Sequence, residues 1–140
     1  MTRGVCVARK ASAENPLRCA VLISGSGTGM EKLILHQQSN SQCSHQTVIV
    51  ISDKKSATGL SKAADLGITN IAIELPDIEN VAQRRTSHEE LITQAIEKSG
   101  AEIVILSGYM RILTASFVDK WSPNLVNIHP SLLPHFPGAD

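Results

Sequence analysis

The chain has 140 residues, of which 42% are hydrophobic and 19% charged, and its formal net charge at pH 7 is zero. This size fits one globular domain, and the neutral charge argues against a nucleic-acid or anionic-membrane partner. No apolar run approaches the roughly 20 residues that span a bilayer, so we expect a soluble, cytoplasmic protein with a small-molecule ligand.

Residues 1–18 are predicted to be a disordered N-terminal extension, and residues 19–140 the globular part. The extension carries four basic side chains against a single acid, Glu14. This composition weakly resembles an organellar transit peptide. We favour a ragged, solvated N-terminus, because the stretch has no clear amphipathic face.

The three cysteines, Cys6, Cys19 and Cys43, are odd in number and widely spaced, without a Cys-x-x-Cys pair. We therefore predict reduced thiols. Cys43 lies close to His45 in the sequence, but two ligands in a polar loop do not make a metal site, and we expect no metal.

Short apolar runs rich in β-branched residues alternate with stretches of helical periodicity. They predict five buried strands, at residues 19–24, 47–52, 71–73, 102–106 and 125–129. Between them, helices are predicted from near Gly29, across 60–66 with Gly67 as cap, across 85–98 with Gly100 as the stop, and across 115–120. The third helix is predicted to bury an inner stripe made of Leu91, Ile92, Ala95 and Ile96.

This alternation predicts an α/β fold, namely a Rossmann-like open parallel sheet with covering helices. Ligands of such sheets bind outside the C-terminal ends of the strands. Three segments should therefore converge on a site: 25–29, 108–113 and 127–138.

The first of these segments, Ser24-Gly25-Ser26-Gly27-Thr28-Gly29, joins a strand to a helix N-terminus. Unpaired backbone N–H groups there favour a phosphate, and the glycines let the backbone approach it. The pattern is neither the dinucleotide fingerprint nor a Walker loop, so it favours a phosphate monoester. Asp53 after strand two keeps a dinucleotide alternative open, and a tight turn without ligand is the other alternative.

Asn127 and His129 alternate with Ile128 along the fifth predicted strand, so they project to the same side. An amide donor beside an imidazole can hold a carbonyl oxygen while the histidine moves protons, which is suited to acyl transfer. A histidine that merely hydrogen-bonds a loop, with Asn127 capping a turn, fits the spacing equally well.

The string Asn127-Ile-His-Pro-Ser-Leu-Leu-Pro134 resembles a signature of folate-dependent formyltransferases and hydrolases. Ser24 to Thr28, Ser107 to Leu113 and Phe136-Pro137-Gly138 resemble, in the same order, motifs of the glycinamide ribonucleotide formyltransferases. The likeness runs from about Cys19 to Asp140, and it implies that residues 19–140 are the N-terminal two-thirds of a formyltransferase domain without its C-terminal strands. Formyltetrahydrofolate hydrolases and methionyl-tRNA formyltransferases share the His-x-x-Leu-Leu-Pro-like stretch, but the phosphate loop argues against both.

This resemblance implies formyl transfer from 10-formyltetrahydrofolate to the amine of glycinamide ribonucleotide, a step of purine biosynthesis, with no metal. Asn127 and His129 match catalytic residues, and Asn127 also matches a folate contact. Gly27, Thr28 and Gly29 match the phosphate loop. The remaining folate-binding matches are Arg85, Met110, Arg111, Ile112 and Leu113.

Two departures from the resemblance concern the expected activity. Gly29 stands where the family usually has Asn, which removes a side-chain contact, and Met30 replaces the usual Leu. The family's catalytic aspartate would lie beyond Asp140, so we expect impaired activity in the 140-residue chain. A non-catalytic phosphate- or nucleotide-binding module is the alternative function. Leu133-Pro134 is predicted to be a cis peptide.

Overall fold

The structure is a computed structural model that describes residues 10–128. Its fold is built on one parallel sheet. The strands are β1 Leu17–Ile23, β2 His45–Ser52, β3 Asn70–Ala72, β4 Ile103–Ser107 and β5 Leu125–Ile128. The helices are α1 Thr28–Ser39, α2 Thr58–Asp65, α3 Val81–Ser99 and α4 Ala115–Trp121. The predicted alternation of strands and helices is confirmed.

The strands pair in the order β3-β2-β1-β4-β5, and every pairing is parallel. The chain thus extends the sheet outward from β1 in one direction, then returns to its other side with β4. Loops that leave β1 and β4 diverge at this reversal of order, which opens a crevice at the C-terminal strand ends. The predicted Rossmann-like sheet is confirmed.

The alternation of side chains along β1 divides the core into two layers. Val21 and Ile23 face one side, where they pack with Met30 and Ile34 of α1 and with Ala63 of α2. The residues between them face the other side and pack with α3 and α4, in a cluster that includes Ala20, Leu22, Ile92, Ile96 and Phe117. Both faces of the sheet are covered, which explains why its central strands are apolar throughout.

The first strand begins at Leu17, two residues before the predicted start. Arg18 is tied into the sheet, because its backbone N–H donates to Glu102 Oε1 at 2.9 Å and its Nε donates to the Gly100 carbonyl at 2.7 Å. The charged side chain of Arg18 separates Leu17 from the apolar run that begins at Cys19, so hydrophobicity alone predicted a later start. Residues 1–9 of the extension predicted over residues 1–18 lie outside the described residues, as does the predicted cis bond at Leu133-Pro134. Leu17 and Arg18, which were assigned to that extension, belong to β1.

The inner stripe of α3 was predicted wrongly at one position. Leu91 is 44% exposed, whereas Ile92 and Ile96 are buried as predicted. The buried face instead includes two polar residues, His88 and Glu89, which hydrogen-bond to other elements. Because two of the buried residues are polar, the hydrophobic pattern alone did not predict which face of α3 is buried. Gly100 ends α3 in the left-handed conformation, as predicted.

The cysteines within residues 10–128, Cys19 and Cys43, are free thiols, as predicted. Burial raises the pKa of Cys19 to about 11, so its thiol stays protonated at neutral pH. None of the four described helices is long and apolar enough to cross a membrane.

Candidate phosphate- and folate-binding site

A cavity of about 410 Å³ opens at the C-terminal ends of β1 and β4, where the strand order reverses. It brings together two of the three segments that were predicted to converge. Its lining consists of the glycine loop, one lysine and the start of the segment after β4: Ser24, Gly25, Ser26, Gly27, Thr28, Gly29, Lys54, Ser107, Gly108 and Met110.

Gly27 is the N-cap of α1 and adopts a left-handed conformation, with φ of 65°. A Cβ at this position would lie 2.7 Å from Met30 Cε and 3.3 Å from Ile23 Cδ1, so both conformation and space require glycine. No side chain caps the helix, and its first N–H groups lie beside the cavity. The loop therefore presents backbone donors and the positive end of the helix dipole to an anion.

Gly59 supports the glycine loop from α2. Its N–H donates to the Gly25 carbonyl at 3.0 Å, and a Cβ there would lie 2.4 Å from Ile23 Cδ1 and 3.2 Å from Gly27 Cα. Two backbones thus meet without an intervening side chain. The sequence analysis missed Gly59, although a glycine in the first turn of a helix is a detectable signal of close packing.

Gly29 lies against Ser107, the last residue of β4. A Cβ at position 29 would lie 2.8 Å from Ser107 Oγ, and both residues line the cavity. The side chain that was expected at position 29 from the resemblance would therefore compete with Ser107 for space. In this chain Ser107 supplies a hydroxyl where Gly29 supplies only backbone.

Lys54 is a cation that the sequence analysis did not identify. It lies two residues after the end of β2 and lines the cavity together with the glycine loop, while its backbone N–H donates to Ser52 Oγ at 3.1 Å. Its neighbour Asp53 is buried and is not among the residues that line the cavity. A lysine beside unpaired backbone N–H groups strengthens the case for an anionic ligand.

The segment at residues 108–114 is fixed to the glycine loop at its beginning. Met110 N–H donates to Ser24 Oγ at 2.8 Å, which joins the ends of β4 and β1. Beyond this bond, the side chains of Met110 and Ile112 are 75% and 76% exposed, whereas Leu113 packs on the core. The segment therefore presents an apolar edge beside the phosphate cavity.

Tyr109, in the same segment, packs against the core cluster that includes Ile92 and Phe117. Its hydroxyl is buried without a hydrogen-bond partner among the described residues, as is Asp53 Oδ1. Burial, and secondarily the charge of Asp53, raises the pKa of Tyr109 well above its ordinary value. The phenol therefore stays neutral across the physiological range.

The end of the segment is held by Glu89, a buried carboxylate on α3. It accepts from Thr114 N–H at 2.8 Å and also from the Thr114 hydroxyl. Thr114 is itself the N-cap of α4 and accepts from Phe117 N–H. Arg85 is half-buried one helical turn before Glu89, so it lies on the same side of α3. Glu89 was not identified from the sequence, because buried acids have no periodic signature.

Asn127 lies on β5 and pairs with Leu106 of β4, next to the segment that leaves β4. Its side chain is exposed. The described residues end at Ile128, so His129 and the rest of the predicted third segment lie outside them. The structure brings together Gly27, Thr28, Gly29 and Met110 in one cavity, with Arg111, Ile112 and Leu113 continuing from it.

A cavity lined by a glycine loop and a lysine, at the strand-order reversal of a Rossmann-like sheet, is the arrangement typical of α/β proteins that bind phosphorylated small molecules. Comparison with known proteins makes this specific. The Formyl transferase family matches residues 17–140, and the chain belongs to that family.

Its relatives include enzymes that carry the name predicted from the resemblance. The trifunctional purine biosynthetic protein adenosine-3 of Bos taurus is 41% identical over 123 residues, which are 88% of this chain and 12% of that protein. The phosphoribosylglycinamide formyltransferase of Escherichia coli is 33% identical over 122 residues, 87% of this chain and 55% of that one.

A solved structure supports the same assignment. The phosphoribosylglycinamide formyltransferase from Brucella melitensis superposes with a TM-score of 0.77 at 37% identity, covering 88% of this chain and 62% of that one. The resemblance to glycinamide ribonucleotide formyltransferases and the formyltransferase fold are thereby confirmed. The chain spans roughly half to three-fifths of the length of these two formyltransferases.

Proposed function

We propose that this chain binds glycinamide ribonucleotide and 10-formyltetrahydrofolate and contributes to formyl transfer between them. The observation that carries the proposal is the Ser24–Met110 hydrogen bond, which joins a phosphate-type loop to an exposed apolar segment at one cavity. The two halves of that site differ in chemistry as the two substrates do. One carries a phosphate group, and the other carries pterin and benzoyl rings whose faces can pack on apolar side chains.

The phosphate of the ribonucleotide lies, in this proposal, against the N-terminus of α1. The backbone N–H groups of Gly27, Thr28 and Gly29 are the donors, and Lys54 supplies a full positive charge. Together they offset the phosphate's loss of hydration, because charge-assisted hydrogen bonds are roughly twice as strong as neutral ones.

The folate lies along Met110, Arg111, Ile112 and Leu113, with Arg85 as a further contact from α3. The exposed side chains of Met110 and Ile112 are the apolar surface that such a ligand would bury. Backbone groups of the same segment are available for the polar edge of the ring.

The chemistry follows from Asn127 and His129. The amine nitrogen of glycinamide ribonucleotide attacks the formyl carbon, forming a C–N bond, and the bond from that carbon to folate N10 breaks. Asn127 donates to the oxygen that becomes negative, while His129 helps the proton pass from the amine to the leaving nitrogen. No metal is required for this step. We place the reaction in the cytoplasm, with small molecules as the partners.

Calorimetric titration with glycinamide ribonucleotide tests the phosphate half. Lys54→Ala should weaken binding about tenfold, since one charge-assisted contact amounts to roughly 1.5–3 kcal/mol when desolvated and less at this exposed position. Lys55→Ala is the matched control, because this neighbouring lysine does not line the cavity. Equal affinity in both variants would remove Lys54 from the proposal.

A turnover assay tests the reaction. The 140-residue chain is compared with the same chain joined to the part of the Escherichia coli relative that it does not cover. The joined protein should transfer formyl, and Asn127→Ala or His129→Ala should each reduce its turnover at least a hundredfold. A joined protein that binds the ribonucleotide but never turns over would favour the alternative, a non-catalytic phosphate-binding module.

A further inference from the structure

Three side chains with metal-binding atoms meet at the end of the sheet opposite the phosphate cavity. His36 lies in the last turn of α1, Cys43 in the following loop, and His45 is the first residue of β2. One ligand atom from each lies within 4.8 Å of the other two. Cys43 and His45 are close in the sequence. The packing of α1 beside β2 brings His36 to them as the third residue.

The loop that carries Cys43 is closed by its own hydrogen bonds. Cys43 N–H donates to the Asn40 carbonyl at 3.0 Å, and Gln42 N–H donates to Asn40 Oδ1 at 3.0 Å. The adjacent carbonyl of Ser44 accepts from Leu17 N–H at 2.7 Å, which fastens the loop to β1. These hydrogen bonds hold the backbone at Cys43 in place beside the start of β2.

The two histidines are also oriented. Their rings stack with centroids 6.1 Å apart and an interplanar angle of 24°. Gln37 Nε2 lies 2.8 Å from His45 Nδ1, and Gln37 Oε1 accepts from the Thr47 hydroxyl at 2.8 Å. A polar partner on one imidazole nitrogen is the usual outer contact of a metal-binding histidine, because it fixes the ring and leaves the other nitrogen for the ion. Rotating the Gln37 amide by half a turn would let its oxygen accept from Nδ1–H while Thr47 accepts from the amide nitrogen.

We propose that His36, Cys43 and His45 bind a zinc ion, with water in the fourth position. Zinc takes a thiolate and imidazoles at about 2.0–2.3 Å in tetrahedral geometry, so neighbouring ligand atoms should be roughly 3.3–3.8 Å apart. The side chains must close inward by about 1 Å from their present separation of up to 4.8 Å. Exposed His36 and half-buried Cys43 have room for this adjustment. A thiolate and two imidazoles suit zinc, whereas magnesium and calcium prefer oxygen ligands.

The site does not depend on the proposed formyl transfer. It joins the C-terminal end of α1 to the start of β2, whereas the phosphate cavity lies at the N-terminal end of α1. The ion would therefore clamp α1 against the sheet and stabilise the chain without entering the reaction. Cys19 is buried and is not among the side chains whose ligand atoms meet at this point.

Titration of the 140-residue chain with Zn²⁺ tests the proposal. We expect one ion per chain and a higher melting temperature in its presence. Cys43→Ser and His36→Ala should each weaken Zn²⁺ binding at least tenfold and abolish the thermal shift. Lys32→Ala and Ser41→Ala, exposed neighbours on α1 and on the loop, are the matched controls and should leave both quantities unchanged.

Substitution with Co²⁺ distinguishes a specific thiolate-containing site from nonspecific metal binding. With Co²⁺ in place of Zn²⁺, the parent chain should show thiolate-to-cobalt charge-transfer absorption, and Cys43→Ser should lack it. The proposal is overturned if the parent chain does not saturate with one Zn²⁺, or if either Cys43→Ser or His36→Ala binds as tightly as the parent. Circular dichroism of the two exposed-site variants verifies that both remain folded.

Discussion

The glycine loop at residues 24–29 and the segment at residues 108–114 border the same cavity but are held in opposite ways. The loop is packed against Gly59 at Gly27 and against the Ser107 hydroxyl at Gly29, so that a Cβ at either of these two positions would be crowded. The segment is held at Met110 and Thr114, and between them it exposes the apolar side chain of Ile112.

If the proposed function holds, this difference sets how each half binds its ligand. A phosphate needs donors at fixed positions, and close packing provides a preformed site that costs little ordering on binding. An apolar ligand needs surface to bury, and a segment tethered at both ends can adjust its side chains around it. The predictions below test whether the two halves respond separately to substitution.

The largest effect is expected from Glu89→Ala, which removes the tether at the end of the segment. Two donors of Thr114 would lose a carboxylate partner, so we expect about 3 kcal/mol of lost unfolding free energy and weaker folate binding. Urea denaturation measures the first effect and calorimetric titration with a folate analogue the second, while faster hydrogen exchange across 110–114 would show that the segment has lost its tether. Glu90→Ala, an exposed neighbour, is the control. If phosphate affinity fell as much as folate affinity, the two halves would not be separate.

Gly59→Ala should cost about 1–2 kcal/mol, although Gly→Ala inside a helix ordinarily stabilises by up to about 1 kcal/mol. The added Cβ would meet Ile23 Cδ1 at 2.4 Å and the Gly25 carbonyl at 3.0 Å, so the loop must move. Phosphate affinity should fall together with stability. Gly25→Ala, where a Cβ meets nothing within 4 Å, should change stability by less than about 0.5 kcal/mol. A Gly59→Ala variant more stable than the parent would contradict the close packing described here.

Gly29→Asn tests the contact between position 29 and Ser107. Alone, the new side chain would press on Ser107 Oγ and should weaken phosphate binding about tenfold, which corresponds to about 1.4 kcal/mol. Combined with Ser107→Ala, it should recover most of that affinity, because the space is then available. Calorimetry on the two single variants and the double variant gives the coupling directly. Strictly additive losses would show that the two positions do not compete.

The smallest change in stability is expected from Ile112→Ser, since this side chain is 76% exposed. Unfolding free energy should change by less than about 0.5 kcal/mol, while affinity for a folate analogue should fall severalfold because apolar contact area is lost. Leu35→Ser, an exposed apolar residue on α1, is the control for both measurements. If Ile112→Ser bound the folate analogue as tightly as the parent chain, the folate would not contact this part of the segment.

Much of the fold could be predicted from local patterns. Runs such as Ala20 to Ile23 are apolar because both faces of the strand are covered, and that leaves a direct trace in the sequence. The C-terminal caps at Gly67 and Gly100 were predicted for the same kind of reason, since a left-handed residue strongly favours glycine. Leu91 was wrongly predicted to be buried, because a hydrophobic residue in a helix does not by itself show which face of the helix packs on the core.

The candidate site was predicted where its chemistry resides in contiguous residues. The glycine loop and the 108–113 segment each occupy one stretch of chain, and the parallel sheet brings their ends together. Lys54, Gly59 and Glu89 were missed because each matters through a neighbour far away in sequence. Nothing local distinguishes them from an ordinary surface lysine, a weak helix residue or a solvated acid.

The sequence by itself therefore determined the alternation of strands and helices, the phosphate-type loop and the family resemblance, because these depend on short-range periodicity and contiguous motifs. The tertiary structure decided which residues share the cavity, why Gly29 is tolerated beside Ser107, and how Glu89 holds the far end of the apolar segment. It also brought His36 to Cys43 and His45. These are contacts between separate elements, and only the packing of helices on the sheet specifies them.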